Sequence, residues 1–281
     1  MIARRDVAGL IGVGAVAAAA AGAAATKASA QSNQSVFDRI MSTKKLRMGG
    51  VANGPPWIRK DPTTGQWSGH FYDIGVALAA DLEVQLDIVE TTWGNAVLDL
   101  QADKTDIMFG LNPTPKRALA VDFTGPLYDS ALVVIAKPGF EPKTWAELNK
   151  PEIKISCDVG SAHDQVASRL CPRAQIVRFK SIDEASLALR SGRVDAQSIF
   201  WQGGVRAVKR DPSLGKVFAP TPIFGSTSNA AVRREPDKAW RDFMNTWIVY
   251  ARGLGLIREA VVKSLAQVDI SLDDIPPGVT F

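Results

Sequence analysis

The chain has 281 residues, of which 46% are hydrophobic and 22% are charged, and its formal net charge at pH 7 is +4. This is the balance of a folded globular protein, with room for two domains or lobes of about 100 residues each. The small basic excess forms no long run and no patch interleaved with aromatic residues, so nucleic acid is not an expected partner.

The first 30 residues have the pattern of an export signal. Two arginines precede an uncharged stretch over 7–25 of mostly Ala, Gly and Val, and Ala28-Ser29-Ala30 forms a small-x-small cleavage site. We therefore predict a cleavable signal peptide over 1–30 and a periplasmic destination. The paired arginines indicate twin-arginine export, but the residues after them fit its usual continuation poorly, so the general secretory route stays open. A membrane anchor is disfavoured because Ala and Gly contribute little insertion free energy.

The only two cysteines, Cys157 and Cys171, could form a disulfide in an exported protein. Cys157 lies in an apolar run typical of a strand, and Cys171 lies near the end of the next helical stretch. We expect two buried free thiols at such positions, with a disulfide as the open alternative. No C-x-x-C spacing or histidine cluster indicates a metal site, and no cofactor is expected.

Strands and helices alternate after a polar leader over 31–44, which we expect to be flexible. Alternating apolar residues predict strands, and apolar residues at helical spacing predict helices. In the first half the predicted strands are 46–51, 84–90 and 106–111, and the predicted helices are 74–82 and 95–102. In the second half the strands are 153–159, 175–179 and 195–200, and the helices are 162–170 and 183–190. This order predicts an α/β protein with mainly parallel sheets flanked by helices.

A short internal echo relates the two halves. Residues 98–106 and 187–195 both end a helix with a small or turn-forming residue and a base, then begin a strand with Asp. The echo suggests two lobes of similar build.

A strand over 228–232 is predicted to return to the first lobe, before helices over 240–251 and on to about 266. Two connections between two lobes would leave a ligand cleft bounded by the carboxyl ends of the strands. The predicted lobes are 45–129 plus 228–281, and 130–227.

Arg117 is the most informative residue of the chain. Thr114 suits the N-cap of a short helix and Pro115 its first position, so Arg117 falls in the first turn. Free N–H groups and the positive end of the helix dipole would make an arginine there a strong carboxylate site. A surface arginine at the start of an ordinary helix is the alternative from this segment alone.

Several segments, in their order and spacing, resemble extracellular solute-binding proteins of the polar-amino-acid ABC-transporter type, known as family 3. The resemblance covers roughly 45–265 and is carried by the segments 46–50, 55–57, 93–101, 114–124, 159–161 and 185–196. It implies a two-lobed type II periplasmic-binding-protein fold with the cleft between the lobes. It also implies a monomeric, non-catalytic receptor that binds a small carboxylate solute by hinge closure and delivers it to an inner-membrane ABC permease.

The resemblance further implies a ligand site to which both lobes contribute. Arg117 would grip the ligand's carboxylate, because bidentate arginine is the best single partner for a desolvated carboxylate. Ser161 would contact the same carboxylate from the second lobe. Gly110 and Asn112 would offer polar groups, and Trp57 and Trp93 would form apolar walls. With the aromatic Phe200, the implied ligand-binding residues are Trp57, Trp93, Gly110, Asn112, Arg117, Ser161 and Phe200.

Phe200 departs from the family pattern, which places there an acid that neutralises the α-ammonium group of an amino acid. No acid occurs between Asp195 and Asp211. An ammonium buried against Phe200 without a partner would lose several kcal/mol. We therefore expect a carboxylate without the amine, bulky or aromatic in view of the tryptophans, with an ordinary amino acid as the alternative.

Other residues and functions are weighed against this hypothesis. His163 and Asp164 are typical of capping or solvated groups at a helix start, with proton transfer as the alternative. Trp201 is expected to turn away from Phe200 by strand alternation. A periplasmic dehydratase of the cyclohexadienyl type on the same fold, and a ligand-sensing module for a membrane receptor, are the alternative functions.

Overall fold

The computed structural model describes residues 34–279, so the predicted signal peptide lies outside the described part of the chain. Its helices are α1 (Val36–Thr43), α2 (His70–Asp81), α3 (Ala96–Gln101), α4 (Pro115–Ala118), α5 (Trp145–Leu148), α6 (Ala162–Leu170), α7 (Ile182–Arg190), α8 (Trp201–Arg210), α9 (Ala239–Gly253) and α10 (Leu256–Ala266). Its strands are β1 (Lys45–Val51), β2 (Asn53–Gly54), β3 (Ile58–Lys60), β4 (Trp67–Ser68), β5 (Gln85–Thr91), β6 (Met108–Leu111), β7 (Val121–Ala136), β8 (Lys154–Asp158), β9 (Gln175–Phe179), β10 (Ala196–Phe200), β11 (Lys216–Phe218) and β12 (Gly225–Arg233).

Hydroxyl side chains determine where several helices begin. Ser35, Thr114, Thr144, Ser161 and Ser181 each accept a hydrogen bond from the backbone N–H three residues further on. Such an N-cap satisfies one of the free N–H groups of the first turn and stabilises the helix by about 1 kcal/mol.

Each lobe contains a group of parallel strands, as the β-α order predicts. In the first lobe β1 pairs with β5 in parallel, and a parallel bridge between Met48 and Ile107 connects β1 to the segment that enters β6. In the second lobe β8 pairs in parallel with both β9 and β10. The two-lobed α/β fold predicted from the sequence is thus confirmed.

Two long strands, β7 and β12, connect the lobes and run antiparallel to each other. The first part of β7 pairs with β12, and its last part pairs with β10 of the second lobe. The predicted lobe boundaries at 129–130 and 227–228 fall inside these two strands. The β-α order carries no signal for such crossing strands, because their neighbours come from distant parts of the chain.

The leader predicted to be flexible is helical over α1, and that prediction is wrong. Val36 and Ile40 are fully buried on one face of this helix, and the ring of Phe37 stacks on Trp240 at 5.5 Å between centroids. Two apolar positions four residues apart are too few to stand out as a periodic pattern. The helix is stable because α9 covers its apolar face.

Cys157 in β8 and Cys171 after α6 are buried free thiols, as expected. Burial raises the pKa of Cys171 to about 11. It also raises the pKa of Cys157, which the nearby carboxylates of Asp164 and Asp158 raise further. Between residues 34 and 279, no helix has the length and apolar content that a membrane crossing requires.

The internal echo has a structural explanation in the aspartate at its end. The Asp106 carboxylate accepts the backbone N–H of Arg47 at 2.7 Å, and the Asp195 carboxylate accepts that of Lys154 at 2.9 Å. In both lobes the aspartate therefore stabilises the start of the adjacent parallel strand. Asp106 is fully buried and also bonds the guanidinium groups of Arg47 and Arg39, whereas Asp195 pairs with a half-exposed Lys137.

Asp106→Ala should lower the free energy of unfolding by about 3 kcal/mol or more, because it leaves two arginines without their buried carboxylate. Asp195→Ala should lower it by about 1 kcal/mol, since an exposed lysine pair contributes little beyond the backbone hydrogen bond. Urea unfolding followed by circular dichroism measures both values. Equal losses in the two variants would contradict this account.

Candidate functional site

A cavity lies between the lobes, and all seven residues implied by the resemblance line it. The space free of protein atoms within its bounds is about 450 Å³, a figure that includes open solvent. Its wall consists of Trp57, Phe71, Trp93, Gly110, Asn112, Arg117, Tyr128, Ser130, Ser161, Ala162, His163, Ile182, Phe200 and Ser228.

Arg117 occupies the helix start predicted from the sequence. The Oγ1 of Thr114 accepts the backbone N–H of Arg117 at 3.3 Å, and Pro115 is the first residue of α4. The side chain of Arg117 is not on the surface, because the residue is only 7% exposed. The alternative of a surface arginine is therefore excluded.

The guanidinium group of Arg117 contacts backbone oxygens of both lobes. Nη1 donates to the Asn112 carbonyl at 3.2 Å, and Nη2 donates to the carbonyls of Trp93 at 3.5 Å and Gly160 at 3.2 Å. Burial lowers the pKa of Arg117 to about 10, a shift that the negative charge of Asp158 opposes. The group is thus cationic at neutral pH, yet it forms no ion pair with any residue from 34 to 279.

The N-terminus of α6 brings further donors to the cavity. Ser161 is its N-cap: the hydroxyl donates to the Asp158 carbonyl at 2.8 Å and accepts the Asp164 N–H at 3.1 Å. The proton of the Ser161 hydroxyl is therefore already donated within the protein. The N–H groups of Ala162 and His163, the next two residues, make no hydrogen bond within the described residues and lie where a helix attracts anions.

His163 and Asp158 form a buried pair on the same side of the cavity. The Nε2 of His163 is hydrogen-bonded to the Asp158 carboxylate, and its ring meets the Phe200 ring edge-on at 5.7 Å. Burial of Asp158 acts to raise its pKa, but the charge and hydrogen bond of His163 outweigh burial and hold that pKa below its usual range.

The expectation that His163 and Asp164 are capping or solvated groups is wrong for His163, because Asp158 at the end of β8 holds its ring inside the protein. Asp164 is also buried. Its carboxylate accepts the Gly160 N–H at 3.0 Å and the Nε–H of Arg178 at 2.9 Å, so part of its role is that of a cap.

Aromatic side chains form much of the remaining wall. Trp57 and Trp93 meet edge-to-face at 6.3 Å between ring centroids. Phe200 is the last residue of β10 and lines the cavity, whereas Trp201 is fully buried outside it. Trp201 points elsewhere because α8 begins at this residue, not because a strand continues through it.

The wall near α2 is uncharged at neutral pH. The Nε2 of His70 lies 2.8 Å from the Tyr128 hydroxyl, and both residues are buried. Burial lowers the pKa of His70 to about 3 and raises that of Tyr128 above its ordinary value. This neutral pair offers no counter-charge for an amine.

Sequence reasoning missed Phe71, Tyr128, Ser130, Ile182 and Ser228. Tyr128, Ser130 and Ser228 lie on the crossing strands β7 and β12, whose place beside the cleft depends on distant pairing. In the described part of the chain, no cluster of His, Cys, Asp and Glu side chains could hold a metal ion.

Comparison with known proteins identifies one family and several related proteins. The sequence profile of the bacterial extracellular solute-binding proteins, family 3, matches residues 46–253. The L-arginine-binding protein of Pseudomonas aeruginosa is 32% identical over 207 residues, which are 68% of this chain and 76% of that protein. Cyclohexadienyl dehydratase of the same organism is 23% identical over 234 residues, 82% of this chain and 86% of the enzyme.

Among solved structures, an ancestral amino acid-binding protein described as a precursor of cyclohexadienyl dehydratase has a TM-score of 0.74 to this chain at 29% identity. The match covers 82% of this chain and 100% of the ancestral protein.

The packing of Phe71 against Gly110 gives a prediction about stability. Gly110 has φ of +80°, and a Cβ there would lie 2.2 Å from the Phe71 ring. Gly110→Ala should therefore lower the free energy of unfolding by about 2–4 kcal/mol through backbone strain and overpacking. Gly139 has a similar φ of +83° but no atom within 4 Å, so Gly139→Ala should lose only about 1 kcal/mol. Similar values from urea unfolding of the two variants would show that the Phe71 contact is unimportant.

Proposed function

The chain belongs to the bacterial extracellular solute-binding proteins of family 3, and on this basis we propose that it binds a small carboxylate-bearing solute by lobe closure and delivers it to an inner-membrane ABC permease. The observation that carries the proposal is the buried cation of Arg117 on the cavity wall. Delivery from the periplasm, as a monomer, is proposed from the family.

A carboxylate in the cavity would accept hydrogen bonds from two groups that have free donors, the Arg117 guanidinium and the N-terminus of α6. Arg117 still has guanidinium N–H groups to donate, and the N–H groups of Ala162 and His163 face no partner within the described residues. Charge-assisted hydrogen bonds to a guanidinium and to a helix N-terminus are among the strongest a carboxylate can make. The ligand's charge would also offset the burial of Arg117, which lowers that residue's pKa.

Closure of the lobes is supported by contacts that exist only when the lobes meet. Arg117 of the first lobe donates to the Gly160 carbonyl of the second. The Trp57 ring lies so close to Gly203 of α8 that a Cβ at 203 would be 2.7 Å from its Cη2. A ligand that contacts both sides of the cavity would select this closed state.

The chemistry of the wall supports a ligand without an α-ammonium group. Within the described residues, no Asp or Glu lines the cavity, and Asp158 behind the wall is already paired with His163. The arginine-binding relative is named for an amino acid, so the alternative ligand is an ordinary amino acid. We propose binding and not catalysis. Turnover of prephenate by the purified protein would instead support the dehydratase alternative.

A thermal-shift screen with Arg117 variants tests the carboxylate site. Amino acids, keto acids, aromatic carboxylates and dicarboxylates are added at about a hundredfold excess over Kd, where a ligand stabilises the native state by about 2.7 kcal/mol. Arg117→Ala should abolish the rise in Tm, and Arg117→Lys should retain only part of it, because lysine cannot form the bidentate pair. An undiminished shift in Arg117→Ala would remove this residue from the site. A shift with zwitterionic amino acids, but not with their deaminated analogues, would disprove the proposed absence of the amine.

Gly203→Ala tests lobe closure. The added methyl group would collide with Trp57 of the opposite lobe, so we expect ligand affinity to fall by about tenfold or more. The same methyl group would also lie 2.8 Å from Cδ1 of the fully buried Ile199, so the variant should lose some stability as well as affinity.

Gly204→Ala is the matched control. Its Cβ would lie 3.1 Å from Val133 Cγ2, within the second lobe, so its affinity should match that of the unchanged protein. Isothermal titration calorimetry compares the two variants. Equal affinities would contradict closure onto Gly203.

A further inference from the structure

The side chains of His163, on the cavity wall, and Asp158, behind it, form a buried pair that the carboxylate site does not use. We propose that His163, oriented by Asp158, is the specificity-determining residue for the substituent next to the ligand's carboxylate, and that this substituent is a hydroxyl. The ligand would then be a 2-hydroxy carboxylic acid. This inference rests on the proposed function, because it requires the carboxylate to lie at Arg117.

The pair fixes which ring nitrogen is available to a ligand. Nε2 of His163 is bonded to the Asp158 carboxylate, which is ionised and can only accept, so Nε2 carries a proton. The other nitrogen, Nδ1, makes no hydrogen bond with residues 34–279, although His163 lines the cavity. Nδ1 is therefore an unpaired nitrogen that protein atoms do not fully enclose, on a residue of the cavity wall.

The position of His163 places Nδ1 near the second carbon of the ligand. His163 is the second residue of α6, and its own backbone N–H is one of the two free donors proposed for the carboxylate. Its ring lies against Phe200, another residue of the cavity wall. A group on the carbon next to the carboxylate is therefore within reach of this ring.

A hydroxyl is the substituent that suits this nitrogen best. It can donate to the Nδ1 lone pair of neutral imidazole and accept from the Nδ1–H of imidazolium, whereas a keto oxygen can only accept. An ammonium can only donate, and it would bring a positive charge into a cavity that already contains Arg117. With no Asp or Glu on the wall formed by the described residues, that charge would be buried without a counter-ion.

Four ligands that differ only at this carbon test the proposal: 3-phenyllactate, phenylalanine, phenylpyruvate and 3-phenylpropanoate. Their affinities for the mature protein are measured by calorimetry at pH 7, and the lactate, alanine, pyruvate and propanoate series is measured in parallel. In the series that binds, we expect the hydroxy acid to bind about tenfold more tightly than the unsubstituted acid and the amino acid.

His163→Gln is the informative variant, because a glutamine amide can replace Nε2 at Asp158 but leaves nothing at the position of Nδ1. It should bring the affinities for the hydroxy and unsubstituted acids to within about twofold of each other. His163→Asn, whose amide lies near the position of Nδ1, should retain part of the preference. The unsubstituted acid also reports whether each variant is folded.

The outcomes separate the two proposals. Arg117-dependent binding without preference for the hydroxyl, or a preference that survives in His163→Gln, would overturn the role of His163 alone. Tighter binding of phenylalanine or alanine than of the hydroxy acid would overturn the ligand class. Binding by no member of either series would also overturn the ligand class, whereas binding unaffected by Arg117→Ala would overturn the proposed carboxylate site as well.

Discussion

The guanidinium group of Arg117 is the constraint on which the site depends. It is a buried cation in a cavity lined by both aromatic and polar side chains, and within residues 34–279 it bonds only backbone carbonyls, drawn from both lobes. Backbone carbonyl oxygens carry only partial negative charges, so they do not neutralise the positive charge of the Arg117 guanidinium. The short helix α4, the loop after β8 and the start of α6 are arranged around that field. A bound anion would be both the ligand and the missing part of the electrostatic balance.

Local patterns were sufficient wherever one segment carried the whole signal. Thr114 and Pro115 defined the start of α4, and the apolar periodicity of α6 and β9 gave their bounds. The repeated aspartate was visible because it ends a turn at the same place in both lobes. These features depend on neighbours within a few residues, which a single sequence displays directly.

The remaining features depend on contacts between distant segments. The sequence predicts a flexible leader because the surface that covers α1 belongs to α9, about 200 residues later. The sequence predicts a capping or solvated group at His163 because its partner, Asp158, is an acid at the end of a strand, where no pattern indicates a pair. Tyr128 and Ser228 face the cavity only because two crossing strands lie side by side. All seven site residues inferred from family resemblance line the cavity, but their contact with a ligand stays a prediction.

The crossing strands β7 and β12 form part of the cavity wall through Tyr128, Ser130 and Ser228, and they are also the covalent links between the lobes. The same few residues therefore affect both which ligand binds and how easily the lobes move relative to each other. A substitution at Tyr128, Ser130 or Ser228 that adapts the cavity to a new solute also changes a strand that links the lobes. It would therefore alter the stiffness of β7 and β12 and the angle between the lobes. Ligand preference and the populations of open and closed protein would then change together during evolution. A change of solute would select for compensating substitutions elsewhere in β7 and β12.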